Sequence, residues 1–230
     1  KRISLGSEFF GSFFVDTVLP RDHSSRRISS EYFKLAKSLK LNYKDFLPRF
    51  DFPDEYLLTV ESRFKPLKSK NFFVIAPFTT RPEKHWLNNH WINLVDLLIH
   101  KYQLRCIVLG KVENYEQKML ISTLEEKTTS LVGKTSLIEA AGIIKLAQFF
   151  IGVDTGLTHM SVSLKKKTIA LFGSTCPYLN PVYSTSKVIW LNQKCSPCVR
   201  YPNIKSDLSC LNGIHPEIVE NEIEKLIMSN

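Results

Sequence analysis

Between residues 71 and 173 the sequence alternates short, continuous apolar runs with stretches of helical spacing. The apolar runs, such as Asn71–Ala76 and Thr168–Phe172, lack the polar alternation of a strand that has one face in water. Continuous apolar strands separated by helices predict a parallel sheet covered on both faces, an α/β doubly wound domain. The predicted strands are 71–76, 104–109, 149–153 and 168–172, and the predicted helices are 91–98, capped by Asn88 or Asn89, 113–124, one that opens with a capping box at Ser136–Glu139, and 157–164.

The chain outside this region has a different pattern. An apolar, strand-like run at Phe9–Val18 precedes a helical pattern at Ser30–Leu39, and helical spacing predicts a closing helix at Pro216–Met228. A polar stretch with four basic residues and a proline reads as a linker. We expect residues 1–62 to be the end of one domain, 63–70 to be the linker, and 71–230 to be a second domain.

Composition narrows the classes of partner and the compartment. The net charge of +9 favours anionic partners such as phosphates, nucleic acid or an acidic membrane, and does not choose among them. The chain has no run of about 18 apolar residues, so we predict no membrane-spanning helix. Five cysteines, an odd number, fit a reducing compartment, and the cytoplasm is the expected location.

A first polar cluster follows the strand at 71–76, where a parallel sheet binds its ligands. It contains Thr79, Thr80, Arg81 and Lys84. Lysine supplies a point charge, and hydroxyls with loop amides supply directed hydrogen bonds, so the cluster suits phosphate oxygens. An ordinary polar loop with a solvated lysine is the alternative.

A second cluster, Gly152-Val153-Asp154-Thr155-Gly156-Leu157-Thr158-His159, joins a strand to a helix. Free amides at the helix N-terminus favour an anion, and Gly156 lets a ligand approach the backbone. Asp154 either caps the helix or accepts hydrogen bonds from a sugar. A plain helix cap with His159 facing the core remains the alternative.

These two clusters carry a family resemblance. The 152–159 segment, followed by Thr168–Thr175 and Pro177, resembles the signature of the ADP-heptose:lipopolysaccharide heptosyltransferases, glycosyltransferase family 9. The 79–86 segment with Trp91 resembles that family too, and heptosyltransferase I in particular. The resemblance implies a GT-B fold of two Rossmann-like domains. The C-terminal domain would bind the nucleotide-sugar, and residues 1–62 would be the remnant of the N-terminal, acceptor-side domain.

The resemblance implies a role for each matching position. Lys84 and Asp154 would be the catalytic residues, because Lys84 stabilises the leaving diphosphate and Asp154 holds the heptose hydroxyls. The implied donor-binding set is Thr79, Thr80 and Lys84 on the pyrophosphate, Glu113 on the ribose, Asp154 on the sugar, Thr155, Gly156 and Leu157 on the phosphates, and His159 in the pocket wall. A surface glutamate at a helix start is the alternative for Glu113.

The resemblance also implies a general base that this sequence does not supply. In the family the base is an Asp near the start of the N-terminal domain, beside a glycine-containing loop. No such segment occurs here, and neither Asp16 nor Asp22 is assigned to the role. We therefore expect the sequence to be N-terminally incomplete.

The implied reaction is inverting transfer of heptose from ADP-heptose to Kdo-lipid A in lipopolysaccharide biosynthesis, without a cofactor. The protein would be a monomer in the cytoplasm, peripheral to the inner face of the bacterial inner membrane, whose anionic surface suits a basic protein. Two alternatives stay open: a related GT-B enzyme with another nucleotide-sugar, and an inactive donor-binding fragment. Nucleic-acid binding is disfavoured, because the Lys165–Lys167 run reads as a solvated turn.

Two further sets of residues are ambiguous. Cys195, Cys198 and Cys210 have spacing compatible with zinc, although reduced thiols are favoured and we expect no metal. Cys176 stands where relatives usually carry an acidic residue. The tryptophans read as core or pocket wall, with adenine stacking as the alternative; they are Trp86, Trp91 and Trp190.

Overall fold

The computed structural model describes residues 2–5, 15–19, 28–41, 48–64, 67, 70–180, 183–198 and 208–229. The strands are β1 (Ile3–Leu5), β2 (Thr17–Leu19), β3 (Phe72–Ala76), β4 (Arg105–Val108), β5 (Thr128–Ser130), β6 (Phe150–Val153), β7 (Thr168–Leu171) and β8 (Ser186–Ile189). The helices are α1 (Ile28–Ser38), α2 (Glu55–Arg63), α3 (Asn88–Tyr102), α4 (Tyr115–Leu124), α5 (Leu137–Leu146), α6 (Gly156–Ser163), α7 (Ser209–Asn212) and α8 (Pro216–Met228), with a 3₁₀ turn at Pro82–Lys84. None of the helices in these ranges has the length and apolarity needed to cross a membrane.

The described strands form a parallel pair, β1–β2, and a parallel sheet with the order β5-β4-β3-β6-β7-β8. The larger sheet has the strand order of a dinucleotide-binding fold, with β3 and β6 adjacent at the point where the chain reverses direction along the sheet. This confirms the predicted α/β doubly wound architecture. The carboxyl ends of β3 and β6 therefore flank the crevice in which such sheets bind ligands.

Each face of the larger sheet has its own apolar layer. On β3, Phe73 and Ile75 pack with residues of α3, α4 and α8, whereas Phe72 and Val74 pack with residues of α2, α5 and α6. All four side chains are fully buried. Alternate residues of one strand thus serve opposite layers, which explains why the strand is apolar at every position.

Most of the predicted elements occur, but two helix starts differ from the prediction, those of α3 and α4. The capping box at Ser136 and Glu139 opens α5, and α8 spans the predicted residues. However, α3 begins at Asn88 itself, and its N-cap Leu87 makes no side-chain cap hydrogen bond. The Asn88 amide instead donates to the Glu116 backbone carbonyl at 3.2 Å. In the N-terminal part, α1 confirms the helical pattern at 30–39, while residues 9–14 of the predicted strand lie outside the described residues.

Helix α2, which the sequence did not predict, lies against the larger sheet. Its Val60 and the following Phe64 and Leu67 are buried with residues of α5 and β3. The Lys145 ammonium also lies 2.6 Å from the Asp54 carboxylate, just before α2. The chain thus makes apolar contacts with the C-terminal sheet before residue 71. The boundaries at 62 and 70 remain predictions.

The basic run at Lys165–Lys167 is not simply a solvated turn. Lys165 has a left-handed backbone, φ 57°, and turns the chain from α6 into β7. The half-buried Lys166 ammonium donates to the Ala147 carbonyl at 2.6 Å. Burial, with the nearby charges of Lys145 and Lys167, lowers the pKa of Lys166 to about 8. This lysine therefore ties α6 to the end of α5.

A histidine of α3, His90, faces His215 at the start of α8 and makes the stability depend on pH. Burial, and then the charge of His215, lower the pKa of His90, against weaker opposing effects of Glu217 and the Ile214 carbonyl. The unfolded chain therefore binds more protons than the folded chain near the usual histidine pKa, and stability falls as pH drops through ~6.5. His90→Phe, which keeps a ring against Trp86, should reduce this loss.

The measurement is urea unfolding at several pH values from neutral to mildly acidic. His100→Phe is the control, because His100 is an exposed residue on the same helix. An unchanged pH dependence in His90→Phe would contradict the assignment.

Candidate active site

The residues predicted from the two clusters, together with Glu113, come together in one cleft. It has a volume of about 910 Å³ and lies at the carboxyl ends of β3, β4 and β6. Clefts of this size hold nucleotide-sized ligands. The predicted residues that line it are Thr79, Thr80, Lys84, Glu113, Asp154, Thr155, Gly156, Leu157 and His159.

An ion pair joins the loops that follow β3 and β6. The Lys84 ammonium lies 2.7 Å from Asp154 Oδ2, with the two side chains 16% and 7% exposed. Lys84 ends the 3₁₀ turn at Pro82–Lys84, which aims it into the cleft, and Asp154 directly follows β6. The lysine is thus a positioned cation and not the solvated residue of an ordinary loop.

Asp154 accepts hydrogen bonds from several directions and does not cap α6. His159 Nε2 lies 3.0 Å from Oδ1, and the Thr175 hydroxyl donates to Oδ2. Burial is the largest single influence and raises the pKa of Asp154. The hydrogen bonds from His159, Lys84 and Thr175 and the Lys84 charge together outweigh it and hold the pKa well below its usual range. Asp154 is therefore an ionised carboxylate that can only accept.

His159 has its tautomer set by the groups on either side. Because Asp154 only accepts, His159 Nε2 carries the hydrogen of their contact. His159 Nδ1 lies 3.0 Å from the Tyr178 hydroxyl, so in the neutral ring it accepts from that hydroxyl. Burial, with the Asp154 charge, raises the pKa of Tyr178, which keeps the hydroxyl protonated. His159 thus faces the cleft and not the core.

The N-terminus of α6 is open towards the cleft. Its N-cap is Thr155, which makes no side-chain cap hydrogen bond. The amides of Gly156 and Leu157, in the first turn, have no partner within the helix, by helix geometry. Amides in this position, with the helix dipole, favour an anion.

Gly152 and Gly156, which flank this turn, differ in whether the fold has room for a side chain. A Cβ on Gly152 would lie 2.3 Å from Thr158 Oγ1 and 2.8 Å from Phe150 Cε1. Close packing of the helix on the strand therefore requires Gly152, and the Thr158 hydroxyl donates to the Val153 carbonyl at 2.6 Å across this contact. A Cβ on Gly156 would meet nothing within 4 Å, because it would point into the cleft.

Glu113 lies exposed at the rim of the cleft, ahead of α4. The helix begins at Tyr115 with Asn114 as its N-cap, so Glu113, the predicted first residue of this helix, lies ahead of it. Its backbone N–H donates to the side-chain oxygen of Gln117 at 2.7 Å. Its carboxylate is therefore available to a ligand in the cleft.

Sequence reasoning missed three side chains at this site. Thr175 had a signal, because it follows the end of β7 within the motif that carried the family resemblance. Tyr178 lies beyond that motif, and only the fold brings it to His159. Gln117 is one polar residue on an amphipathic helix, and no local pattern separates it from a surface glutamine.

The ambiguous aromatic residues and cysteines lie away from the nucleotide cleft, except Cys176. Trp86 and Trp91 are buried core residues, and Trp190 donates to Ser196 Oγ at 2.7 Å, so pocket wall or core is the correct reading. In the described ranges, no group of three or more His, Cys, Asp or Glu side chains is placed to hold a metal ion, and the expectation of no metal stays a prediction. Within the described residues, Cys195, Cys198 and Cys210 form no disulfide.

A sheet of this order, with cationic, hydroxyl and amide groups at its switch point, defines a doubly wound α/β protein of the type that binds ligands in this crevice. The chain belongs to glycosyltransferase family 9 (heptosyltransferase), whose profile it matches over residues 1–208.

The sequence identity to individual relatives is low. Lipopolysaccharide heptosyltransferase 1 of Escherichia coli K12 is 27% identical over 124 residues, 54% of this chain and 39% of that protein. Lipooligosaccharide heptosyltransferase 2 of Haemophilus influenzae is 30% identical over 112 residues, 47% of this chain and 32% of that protein. The structure of E. coli heptosyltransferase WaaC with ADP has a TM-score of 0.62 and 22% identity, covering 94% of this chain and 62% of WaaC. The matches thus span well under half the length of the two curated relatives.

The packing of Gly152 leads to a stability prediction. Gly152→Ala should lower the free energy of unfolding by more than ~2 kcal/mol, because the new methyl group overlaps Thr158 and Phe150. Gly156→Ala is the matched control and should change it by less than ~1 kcal/mol. Urea unfolding followed by circular dichroism measures both. Equal losses in the two variants would show that the β6–α6 contact is not tight.

The buried ion pair leads to a second prediction. Lys84→Met should cost about 3 kcal/mol of stability, because it leaves the Asp154 charge buried without its paired cation. The double variant Lys84→Met, Asp154→Asn should be more stable than Lys84→Met alone, since it removes the unpaired charge. Chemical denaturation at neutral pH tests the pair. If the second substitution lowers stability further, the buried Asp154 charge does not depend on Lys84 for its neutralisation.

Proposed function

We propose that this chain forms the donor site of an inverting heptosyltransferase, which transfers heptose from ADP-heptose to the Kdo-lipid A inner core of lipopolysaccharide. The observation that carries the proposal is the Lys84–Asp154 pair beside the open N-terminus of α6. It combines a cation for a diphosphate with a carboxylate for sugar hydroxyls, in a chain of family 9.

The cleft offers separate partners to each part of a nucleotide-sugar. The Thr79 and Thr80 hydroxyls, the Lys84 ammonium and the first amides of α6 suit the diphosphate. Glu113 lines the same cleft as the Thr79 loop, and its carboxylate can accept two ribose hydroxyls. Asp154 has a remaining acceptor position for a sugar hydroxyl, since its contacts with Lys84, His159 and Thr175 use three of its four lone pairs.

The charges of the site fit the bond that breaks. As the anomeric carbon–oxygen bond of the donor breaks, its electron pair passes to the diphosphate and the sugar becomes oxocarbenium-like. Lys84 and the α6 amides would stabilise the negative charge on the diphosphate from positions already fixed by the fold. Asp154, held as an anion, would lie near the positive sugar and hold its hydroxyls.

The substrates are inferred from the relatives. The curated relatives are lipopolysaccharide or lipooligosaccharide heptosyltransferases of types 1 and 2, and WaaC was solved with ADP. The motifs at 79–86 favour type 1, and therefore Kdo-lipid A as acceptor. We place the enzyme in the cytoplasm against the inner membrane, where the net charge of +9 suits an anionic surface. A monomeric state and the absence of a cofactor remain predictions.

The experiment is calorimetric titration of the chain with ADP and with UDP. ADP should bind more tightly than UDP, and Lys84→Ala should weaken ADP binding by at least about tenfold, because it removes a charged hydrogen-bond donor to the diphosphate. Lys127→Ala is the matched control, since Lys127 pairs with Asp96 on the surface. Asp154→Asn should weaken ADP-heptose more than ADP.

Two outcomes would contradict the proposal. A folded chain that binds neither nucleotide does not have a preformed donor site. The second outcome is a chain that binds UDP more tightly than ADP and loses UDP binding in the Lys84→Ala variant. Such a chain has the same site geometry but belongs to a glycosyltransferase with another nucleotide-sugar.

A further inference from the structure

Gln117 is a buried polar side chain that connects two loops of the cleft. It lies in the first turn of α4 and is 3% exposed. The backbone N–H of Glu113 donates to its side-chain oxygen at 2.7 Å. Its Nε2 donates to the Thr79 carbonyl at 3.3 Å. One side-chain amide thus joins the loop after β3 to the loop after β4.

These contacts need an amide of this length. The Glu113 N–H requires an acceptor and the Thr79 carbonyl requires a donor, and an amide supplies both from one rigid plane. Methionine has a similar size but offers neither a strong acceptor nor a donor. Asparagine keeps the amide but is one carbon shorter, so it reaches at most one of the two loops.

The two loops do not depend on Gln117 equally. His85 Nε2 lies 2.7 Å from the Thr79 carbonyl and 3.1 Å from Gln117 Nε2. Because the carbonyl can only accept, the ring nitrogen is the donor of the shorter contact. The phosphate side of the cleft therefore keeps a tether if Gln117 is lost. The Glu113 backbone N–H donates to the Gln117 oxygen. Without Gln117, the loop carrying Glu113 therefore loses the hydrogen bonds that join it, through this amide, to the Thr79 loop.

We propose that Gln117 is a positioning residue that sets the spacing between the Glu113 carboxylate and the diphosphate-binding Thr79 loop. It thereby gives the site its preference for a nucleoside diphosphate over a bare diphosphate. This inference rests on the proposed donor site. Gln117 is not among the residues that line the cleft and acts through Glu113 and Thr79.

The test compares two ligands, ADP and inorganic pyrophosphate, by calorimetry. Gln117→Met should weaken ADP binding by about tenfold, because the Glu113 carboxylate is no longer held at the spacing that the ribose hydroxyls need. Pyrophosphate affinity should change by less than about threefold, because His85 still holds the Thr79 loop. A change of this size is smaller than the free energy of a typical hydrogen bond. The control is Gln148→Met, since Gln148 also donates to a backbone carbonyl, that of Lys70 at 2.9 Å, away from the cleft.

A double-variant cycle provides a readout that general destabilisation would not give. Glu113→Gln should weaken ADP binding in the wild-type background but should have little further effect with Gln117→Met, since both remove the same ribose contact. If Gln117→Met lowers the melting temperature too far for titration, Gln117→Asn takes its place, with the same selective loss expected.

Equal weakening of ADP and pyrophosphate, or additive losses in the cycle, would overturn the positioning role while leaving the donor site in place. Wild-type chain that binds pyrophosphate as tightly as ADP would also overturn it. Failure of the wild-type chain to bind either ligand would instead reject the proposed function on which the inference rests.

Discussion

The ion pair between Lys84 and Asp154 is the interaction on which the site depends, because it joins the two loops at the switch point of the sheet. A buried carboxylate is costly unless cations and donors surround it, and Asp154 has Lys84, His159 and Thr175 around it. These partners come from three separate segments, after β3, within α6 and after β7. Neutralising one charge therefore fixes the relative positions of much of the cleft wall.

The sheet makes this arrangement possible by bringing β3 and β6 side by side. Their register, with Ala76 opposite Gly152, ends both strands at the same level, so the following loops meet. Gly152 then allows α6 to pack tightly against the sheet, with Phe150 and Thr158 in contact. The amides of α6 and the Lys84 ammonium consequently face one cleft, in which positive and donor groups surround the Asp154 carboxylate.

A second group of contacts, around Gln117, connects the cleft to the helix layer. His85 and Gln117 both donate to the Thr79 carbonyl, and the Glu113 N–H donates to Gln117. The site thus has an inner part held by charge and an outer part held by neutral hydrogen bonds. Both parts were partly visible in the sequence: Lys84, Asp154 and Glu113 follow apolar runs, which is where a parallel sheet places its ligand-binding residues. Their partners Tyr178 and Gln117 follow no such pattern in the sequence.

The sequence by itself determined the α/β class, the central strands, the helices with strong caps and the positions at which site residues follow strands. These features are local: an apolar run, a capping box or a strand end depends on neighbours within a few residues. Only the tertiary structure decided the strand order, the edge strands β5 and β8, the packing of α2, and the contacts of Tyr178 with His159 and Gln117 with Thr79. Edge strands such as Thr128–Ser130 bury little apolar surface, and the contacts join residues far apart in the chain. Their energy comes from packing and hydrogen bonding between segments, which no local pattern records.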